Sequence, residues 1–172
     1  IGSDGKKTEL YDGVSRVNHE TLAIGETLIR LGTVDVRVSG SRYAGLPLTE
    51  DFPLSTDGKN ELIASFMKDP DTGRYYLMLV SNEAARTNRM SVVLDDRIGA
   101  LTLIDNGTRQ TFDRNGQTLT MTYKPGEAYL FALPEGLDLF PGGRLGPGRY
   151  DMTTACTCPD YANPCKHVSA VL

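Results

Sequence analysis

The amino-acid sequence predicts a mainly β protein, in which an N-terminal helix packs on an antiparallel β-sandwich and a small C-terminal tail has a ββα-like arrangement. Apolar residues first recur with a helical period and then alternate in short runs that are separated by turn residues. A Gly/Pro-rich stretch follows, and all three cysteines come after it. These changes divide the 172 residues into a helical segment at 1–33, a sandwich at 34–140, a linker at 141–148 and a tail at 149–172.

The predicted helix runs from about Thr8 to Leu31. One apolar stripe follows it at steps of three, four and seven residues, and it comprises Leu10, Val14, Val17, Ile24, Leu28 and Leu31. Gly13 and Gly25 each cost a helix about 1 kcal/mol relative to alanine, so tertiary packing of the stripe is expected to hold the helix. His19 lies off the stripe and is expected to be a solvated helix residue.

From Val34 onward the apolar residues alternate, as expected for strands. The predicted strands are Val34–Val38, Leu62–Lys68, Tyr75–Asn82, Met90–Leu94, Ala100–Ile104, Arg109–Phe112, Thr118–Tyr123 and Ala128–Leu133. Turn residues separate them, such as Asn115-Gly116 and Pro125-Gly126. Short strands at this spacing favour an antiparallel sandwich, and residues 40–60 are expected to form a long irregular connection.

This part of the chain resembles the β-sandwich that follows the catalytic barrel in many glycoside hydrolases. The resemblance lies in a helix before a Val-Asp-Val strand, the stretch GKNELIASFMKDPDTGRYYLMLVSNEA and the run KPGEAYLFAL, over about residues 6–133. It implies a non-catalytic accessory domain that contacts a carbohydrate or a catalytic domain. It also implies that the chain is a fragment of an exported enzyme whose barrel lies outside this sequence.

The carboxylates of the sandwich do not form a predicted catalytic pair. Asp95-Asp96 beside Arg97, and Asp69 with Asp71, are interpreted as turn and solvated-edge residues. Glycoside hydrolysis needs two carboxyl groups facing each other across a cleft. A calcium loop around Asp69 and Asp71 is an alternative interpretation. The chain also lacks a phosphate loop and a nucleophile elbow, so as it stands it is predicted not to be an enzyme.

Two adjacent tyrosines, Tyr75 and Tyr76, point to opposite faces of one predicted strand. One is expected to lie in the core. The other is expected to pack on the surface, with stacking on a sugar as the alternative use.

The tail places the three cysteines beside a histidine in the order Cys-x-Cys-x(6)-Cys-x-His, as Cys156, Cys158, Cys165 and His167. The first two cysteines are two residues apart on an extended strand and therefore point to the same face. Asn163-Pro164 has the order of a helix cap and first helical residue, which puts the other two ligands near a helix start. Three thiolates and one imidazole favour zinc over calcium or magnesium, and four protein ligands describe a closed structural site. A disulfide with one thiol left over, or three unligated thiols, are the alternatives.

On these residues the tail resembles the SWIM-type zinc finger, in which a Cys-x-Cys pair, a spacer and a Cys-x-His pair lead into a short helix. The Cys-Pro-Asp and Asn-Pro-Cys-Lys-His runs carry the likeness, with the small and aliphatic residues that follow. Five residues follow His167 in this sequence, so Val168, Val171 and Leu172 are expected to need further chain or a neighbour to bury them.

The charge distribution indicates the kind of partner. Residues 141–172 carry three basic and two acidic side chains, a net charge of +1, whereas the whole chain carries −4. Nucleic-acid binders usually concentrate basic residues in a patch, so a protein partner is favoured over a nucleic acid. No apolar run approaches 18 residues, so no membrane span is predicted.

The predicted function is therefore a non-catalytic, zinc-binding interaction module attached to a β-sandwich. An accessory domain of a carbohydrate-active enzyme is the alternative. Thiolates held for zinc favour the reducing cytoplasm, whereas the glycoside hydrolase resemblance implies export.

Overall fold

A computed structural model describes residue 7 and residues 9–40, 45–83, 85–104, 109–111 and 117–141 of the chain. In order, these residues form α1 (Glu9–Leu28), β1 (Gly32–Ser39), β2 (Leu54–Thr56), β3 (Leu62–Lys68), β4 (Tyr75–Ser81), β5 (Asn88–Leu94), β6 (Ala100–Leu103), β7 (Arg109–Thr111), β8 (Thr118–Tyr123) and β9 (Ala128–Ala132). The helix is not long and apolar enough to cross a membrane, and it is the only helix in this described part.

The strands form two sheets in which the neighbouring strands are antiparallel. The larger sheet has the order β1-β3-β4-β9-β6-β7, and the smaller has the order β2-β5-β8. The mainly β class with antiparallel sheets is therefore confirmed.

The main core lies between the two sheets, because alternate residues of each strand point to the same side. On β4, for example, Tyr75, Leu77 and Leu79 are buried in this core. The larger sheet also contributes Phe66 and Phe131, and the smaller sheet contributes Leu54, Met90 and Leu119. Burying a side chain of this size stabilises the fold by about 2 kcal/mol.

A second cluster lies on the outer face of the larger sheet and receives the end of α1. Met67, Tyr76, Leu130 and Ala132 form its buried part. Ile24, Leu28 and Leu31 pack against it. The helix thus packs on the sheet through the end of its apolar stripe, as the sequence predicts for these three residues.

Two details of the predicted helix are wrong. Val14 is 50% exposed, because the outer cluster receives only the last turns of the helix and Leu31. The helix also ends at Leu28, and the next residues form a tighter turn in which the Leu31 amide donates to the Leu28 carbonyl at 3.1 Å. Thr8 and the side chains of Leu10 and Val17 lie outside the described residues.

The prediction that residues 40–60 form an irregular connection is wrong in part. Strand β2 lies within them and pairs with β5. Leu54 is buried while Ser55 is exposed, but three residues are too few for the alternation to be read from sequence. The Thr56 and Ser39 hydroxyl oxygens lie 2.8 Å apart, and this hydrogen bond links the edge of the smaller sheet to β1.

The prediction that only one of the two tyrosines on β4 is buried is also wrong. Tyr75 is 4% exposed in the core between the sheets, and Tyr76 is 7% exposed in the cluster beneath α1. Because helix and sheet cover both faces of this strand, neither ring offers a flat surface to a sugar.

Gly25→Ala and Gly126→Ala should change stability in opposite directions. An added Cβ at Gly25 in α1 meets nothing within 4 Å, so its higher helix propensity should stabilise the protein by about 1 kcal/mol. Gly126 lies in the β8–β9 turn at a φ of +68°, where alanine is strained, so that variant should lose about 1 kcal/mol or more. Urea unfolding, monitored by circular dichroism, measures both changes in the free energy of unfolding. Changes of the same sign would contradict the assigned backbone conformations.

Candidate metal centre

The predicted ligands Cys156, Cys158, Cys165 and His167 lie outside the described residues, as do residues 142–148 of the predicted linker. The structure does show the segment that precedes them on the sandwich. The last described segment, residues 137–141, follows β9 and ends at Pro141.

The segment at residues 137–141 is packed into the core rather than lying free. Leu139 is 2% exposed, and Leu137 and Phe140 pack against the core between the sheets. The Phe140 ring centroid lies 5.5 Å from that of Phe66, in an edge-to-face arrangement, and 5.9 Å from that of Tyr75. The segment that precedes the predicted linker is therefore fixed on the sandwich.

Arg97 holds this segment from the other side. Its Nε and Nη2 donate to the Asp95 carboxylate at 2.7 and 2.8 Å, and its Nη1 donates to the Asp138 carbonyl at 2.6 Å. The Asp95 carboxylate also accepts from the Arg97 backbone amide at 2.9 Å, which makes it a turn residue as predicted. These hydrogen bonds from Arg97 hold the pKa of Asp95 below its ordinary value.

A cleft of about 490 Å³ lies beside Pro141. Its lining includes the carboxylates Asp35, Glu50, Asp51 and Asp95, the guanidinium of Arg97, and the rings of Phe52 and Phe140. Arg37 donates to the Asp35 carboxylate through Nε at 3.0 Å and Nη2 at 2.9 Å. Two of the four carboxylates are thus neutralised by arginines two residues away in sequence.

The arginine-bound carboxylates of this cleft, Asp35 and Asp95, do not suit the proton transfers of a glycosidase centre. A general acid needs a carboxyl group whose pKa is raised, whereas the pKa of Asp95 is lowered. Bidentate arginine contacts also fix Asp35 and Asp95 as ion pairs rather than leaving them to transfer protons.

Asp69 caps a hairpin turn and is not placed to bind calcium. Its Oδ1 accepts from the backbone amides of Asp71 at 2.9 Å and Thr72 at 3.3 Å, and its Oδ2 lies 4.0 Å from Arg30. The residue is 2% exposed, so the prediction of a solvated aspartate is wrong, although its place in the turn is confirmed. Within the described ranges, no group of three His, Cys, Asp or Glu residues has the arrangement of a metal site.

The other histidine, His19, belongs to no metal-binding group in the described part of the chain. His19 is exposed on α1, as predicted. The donor set that the sequence predicts for zinc lies in the tail, where three thiols and one imidazole are four side chains of the two residue types that zinc prefers.

Sequence reasoning missed the two pairs in which an arginine binds a carboxylate with two nitrogens, Arg37 with Asp35 and Arg97 with Asp95. A signal for both pairs exists in the sequence. Both follow an Asp-x-Arg spacing, at Asp35 and at Asp95. On β1 this spacing puts both side chains on the same face of the strand, which lets the guanidinium reach the carboxylate.

Comparison with known proteins identifies the tail. Residues 149–172 match the family model described as the SWIM zinc finger, and the matched range includes all four predicted ligands. This finger binds zinc, so zinc is the metal that the segment implies. No curated protein and no solved structure matches the chain. The comparisons therefore give no support to the glycoside hydrolase resemblance.

Asp69→Asn should make stability less dependent on acid. Hydrogen bonds from the Asp71 and Thr72 amides and the charge of Arg30 hold the pKa of Asp69 below its ordinary value, against the effect of burial. Its contribution is therefore present above the unfolded pKa of about 3.9 and is lost as the pH falls through the lower folded pKa. Urea midpoints should fall less for this variant than for the parent between about pH 5 and pH 3.

Asp71→Asn provides the control, because it lies in the same turn but is exposed. Its urea midpoints should follow those of the parent protein at each pH. A parent-like acid dependence in the Asp69→Asn variant would show that the buried carboxylate does not carry the effect.

Proposed function

From the SWIM zinc finger match at residues 149–172, we propose that this chain is a non-catalytic interaction module in which a zinc finger tethered to a β-sandwich binds a protein partner. The match carries the proposal because it covers the only part of the sequence that contains cysteine. In this proposal the helical segment is 1–33, the sandwich 34–140, the linker 141–148 and the finger 149–172.

The proposed zinc ligands are Cys156, Cys158, Cys165 and His167. Four protein ligands leave no open coordination position, so the metal stabilises structure rather than activating a substrate. Few apolar residues are available in residues 149–172, so zinc binding supplies most of the folding free energy there, on the order of 10 kcal/mol in zinc-finger peptides at neutral pH. Thiolates held for zinc suit a reducing compartment such as the cytoplasm.

The sandwich serves as the rigid base of the finger in this proposal. Phe140 packs on Phe66 and Tyr75, and Arg97 binds the Asp138 carbonyl, so the base of the tether is fixed at both its apolar and its polar side. The Gly and Pro residues after Phe140 then give the finger a tether whose reach is limited by its length.

A protein partner is favoured because the positive charge of the finger is low. Residues 141–172 carry a net charge of +1, and the rest of the chain carries −5, since the whole chain carries −4. The negatively charged rest of the chain and the nearly neutral finger together repel phosphates more than they attract them.

Replacing the two histidines separately tests the metal centre. The chain with His167→Ala should lose most of the zinc that the parent holds at about one ion per chain, because one of four ligands is gone. His19→Ala should retain the parent amount, since this exposed helix residue lies outside the proposed site. Elemental analysis after dialysis against a weak chelator measures both, and equal zinc contents would contradict the proposed ligand set.

Nucleic-acid binding distinguishes a protein-binding finger from a DNA-binding one. Fluorescence anisotropy with a random DNA duplex should show weak binding that disappears as salt is raised to about 0.15 M. The few basic side chains of the finger can neutralise only a few phosphates. The zinc-loaded parent and the His167→Ala variant should behave alike in this assay. Tight, zinc-dependent binding that persists at this salt would assign the finger to nucleic acid instead.

A further inference from the structure

The cleft beside Pro141 lies where the last described segment of the chain ends. It has a volume of about 490 Å³, and Phe140 and Pro141 are part of its lining. The next residues in the sequence are Gly142, Gly143 and Arg144. Because Gly142 is bonded to Pro141, this stretch starts at the wall of the cleft.

The cleft has an excess of negative charge. Its lining includes four carboxylates, those of Asp35, Glu50, Asp51 and Asp95. Arg97 binds the Asp95 carboxylate with two nitrogens. Arg37 binds the Asp35 carboxylate in the same way. Two guanidinium groups thus face four carboxylates, and a concave site of this kind concentrates cations.

The aromatic rings of the cleft favour a guanidinium among cations. A guanidinium can lie over an aromatic ring while its N–H groups donate to carboxylates. The molecule already shows this arrangement once, because the Arg37 guanidinium carbon lies 6.0 Å from the centre of the Phe52 ring while Arg37 donates to Asp35. Phe140 supplies a second, half-buried ring in the same lining. The cleft therefore offers both kinds of group that bind an arginine side chain.

Arg144 is the first basic residue after Pro141. Three residues span at most about 11 Å, so the backbone of Arg144 stays close to the cleft. Gly142 and Gly143 lie between them, and glycine has the backbone freedom to turn the chain back. Because so short a loop is closed, bringing the Arg144 side chain to the cleft costs little chain entropy.

We propose that Arg144 docks in this cleft, where its guanidinium donates to the exposed Glu50 carboxylate and lies against the Phe140 ring. The first half of the predicted linker is then held on the sandwich, and the free tether shortens to residues 145–148. The shortened tether rests on the proposed finger at 149–172, whereas the docking itself needs only the sandwich and the linker.

Trypsin cleavage of the full, zinc-loaded chain tests the docking, because trypsin must bind the arginine side chain after which it cuts. The rate follows the fraction of undocked molecules, so cleavage after Arg144 should be at least about threefold faster in the Glu50→Gln variant than in the parent. Glu135→Gln is the matched control, since Glu135 is exposed but lies outside the cleft, and it should leave this rate unchanged. Mass spectrometry measures the rates, with cleavage after Arg149 as the internal reference.

A cross-link without a spacer tests the contact itself. The Arg144→Lys variant keeps the positive charge and places an amine at this position, which a carbodiimide couples to a carboxylate in contact with it. A link between position 144 and residues 49–51 should form. The Arg149→Lys variant is the control and should give no link to these residues.

Removal of zinc with a chelator distinguishes the docking from the proposed finger. Cleavage after Arg144 should stay slow in the metal-free chain, because none of the proposed zinc ligands lines the cleft. A chain that holds no zinc but protects Arg144 would contradict the proposed function and support the docking.

Three results would overturn the docking. The first is cleavage after Arg144 that is as fast in the parent as in the Glu50→Gln variant. The second is the absence of a cross-link from position 144 to residues 49–51. The third is protection of Arg144 that disappears with zinc, which would show that the finger rather than the cleft covers this side chain.

Discussion

The side chain of Phe66 is the contact on which the rest of the described structure depends. It is fully buried, and its ring meets Phe52 at 5.2 Å and Phe140 at 5.5 Å between centroids, both edge to face. Strand β3, the residues before β2 and the segment at residues 137–141 therefore meet at one ring. Truncating a fully buried phenylalanine to alanine costs about 3–5 kcal/mol, which is a large part of the net stability of a domain. The position of the segment at residues 137–141 on the sandwich follows from this packing.

The bounds of a strand could be predicted where buried and less buried residues alternate within that strand over enough positions. β3 and β8 have the predicted bounds, because Leu62, Ala64 and Phe66, or Leu119 and Tyr123, alternate with less buried residues over six or seven positions. The burial of Tyr76 and Asp69 could not be predicted, since it depends on partners distant in sequence: α1 covers Tyr76, and Arg30 approaches Asp69. Local alternation shows that a residue faces a side, but not whether another element covers that side.

The candidate metal site shows the same difference. Its ligand set can be predicted from sequence because Cys156 and Cys158, and Cys165 and His167, form two local pairs of residue types that favour zinc. The support for its base is not readable in this way. Arg97 binds a carbonyl 41 residues away, at Asp138, and a backbone acceptor leaves no mark in the sequence. The predicted ligand chemistry is thus local, whereas the packing of residues 137–141 on the sandwich is a tertiary property.

Two sources of stability operate in one chain, and their separation has a physical consequence. The sandwich is held by apolar burial between its sheets, which does not depend on metal. In the proposed function the finger is held by zinc, which requires deprotonated thiols and is lost to chelators or acid. Because Phe140 packs on Phe66 and Arg97 binds the Asp138 carbonyl within the described sandwich, the proposed function implies that loss of zinc unfolds the finger and leaves this core folded. A module built in this way keeps its base folded while its binding element responds to metal and thiol chemistry.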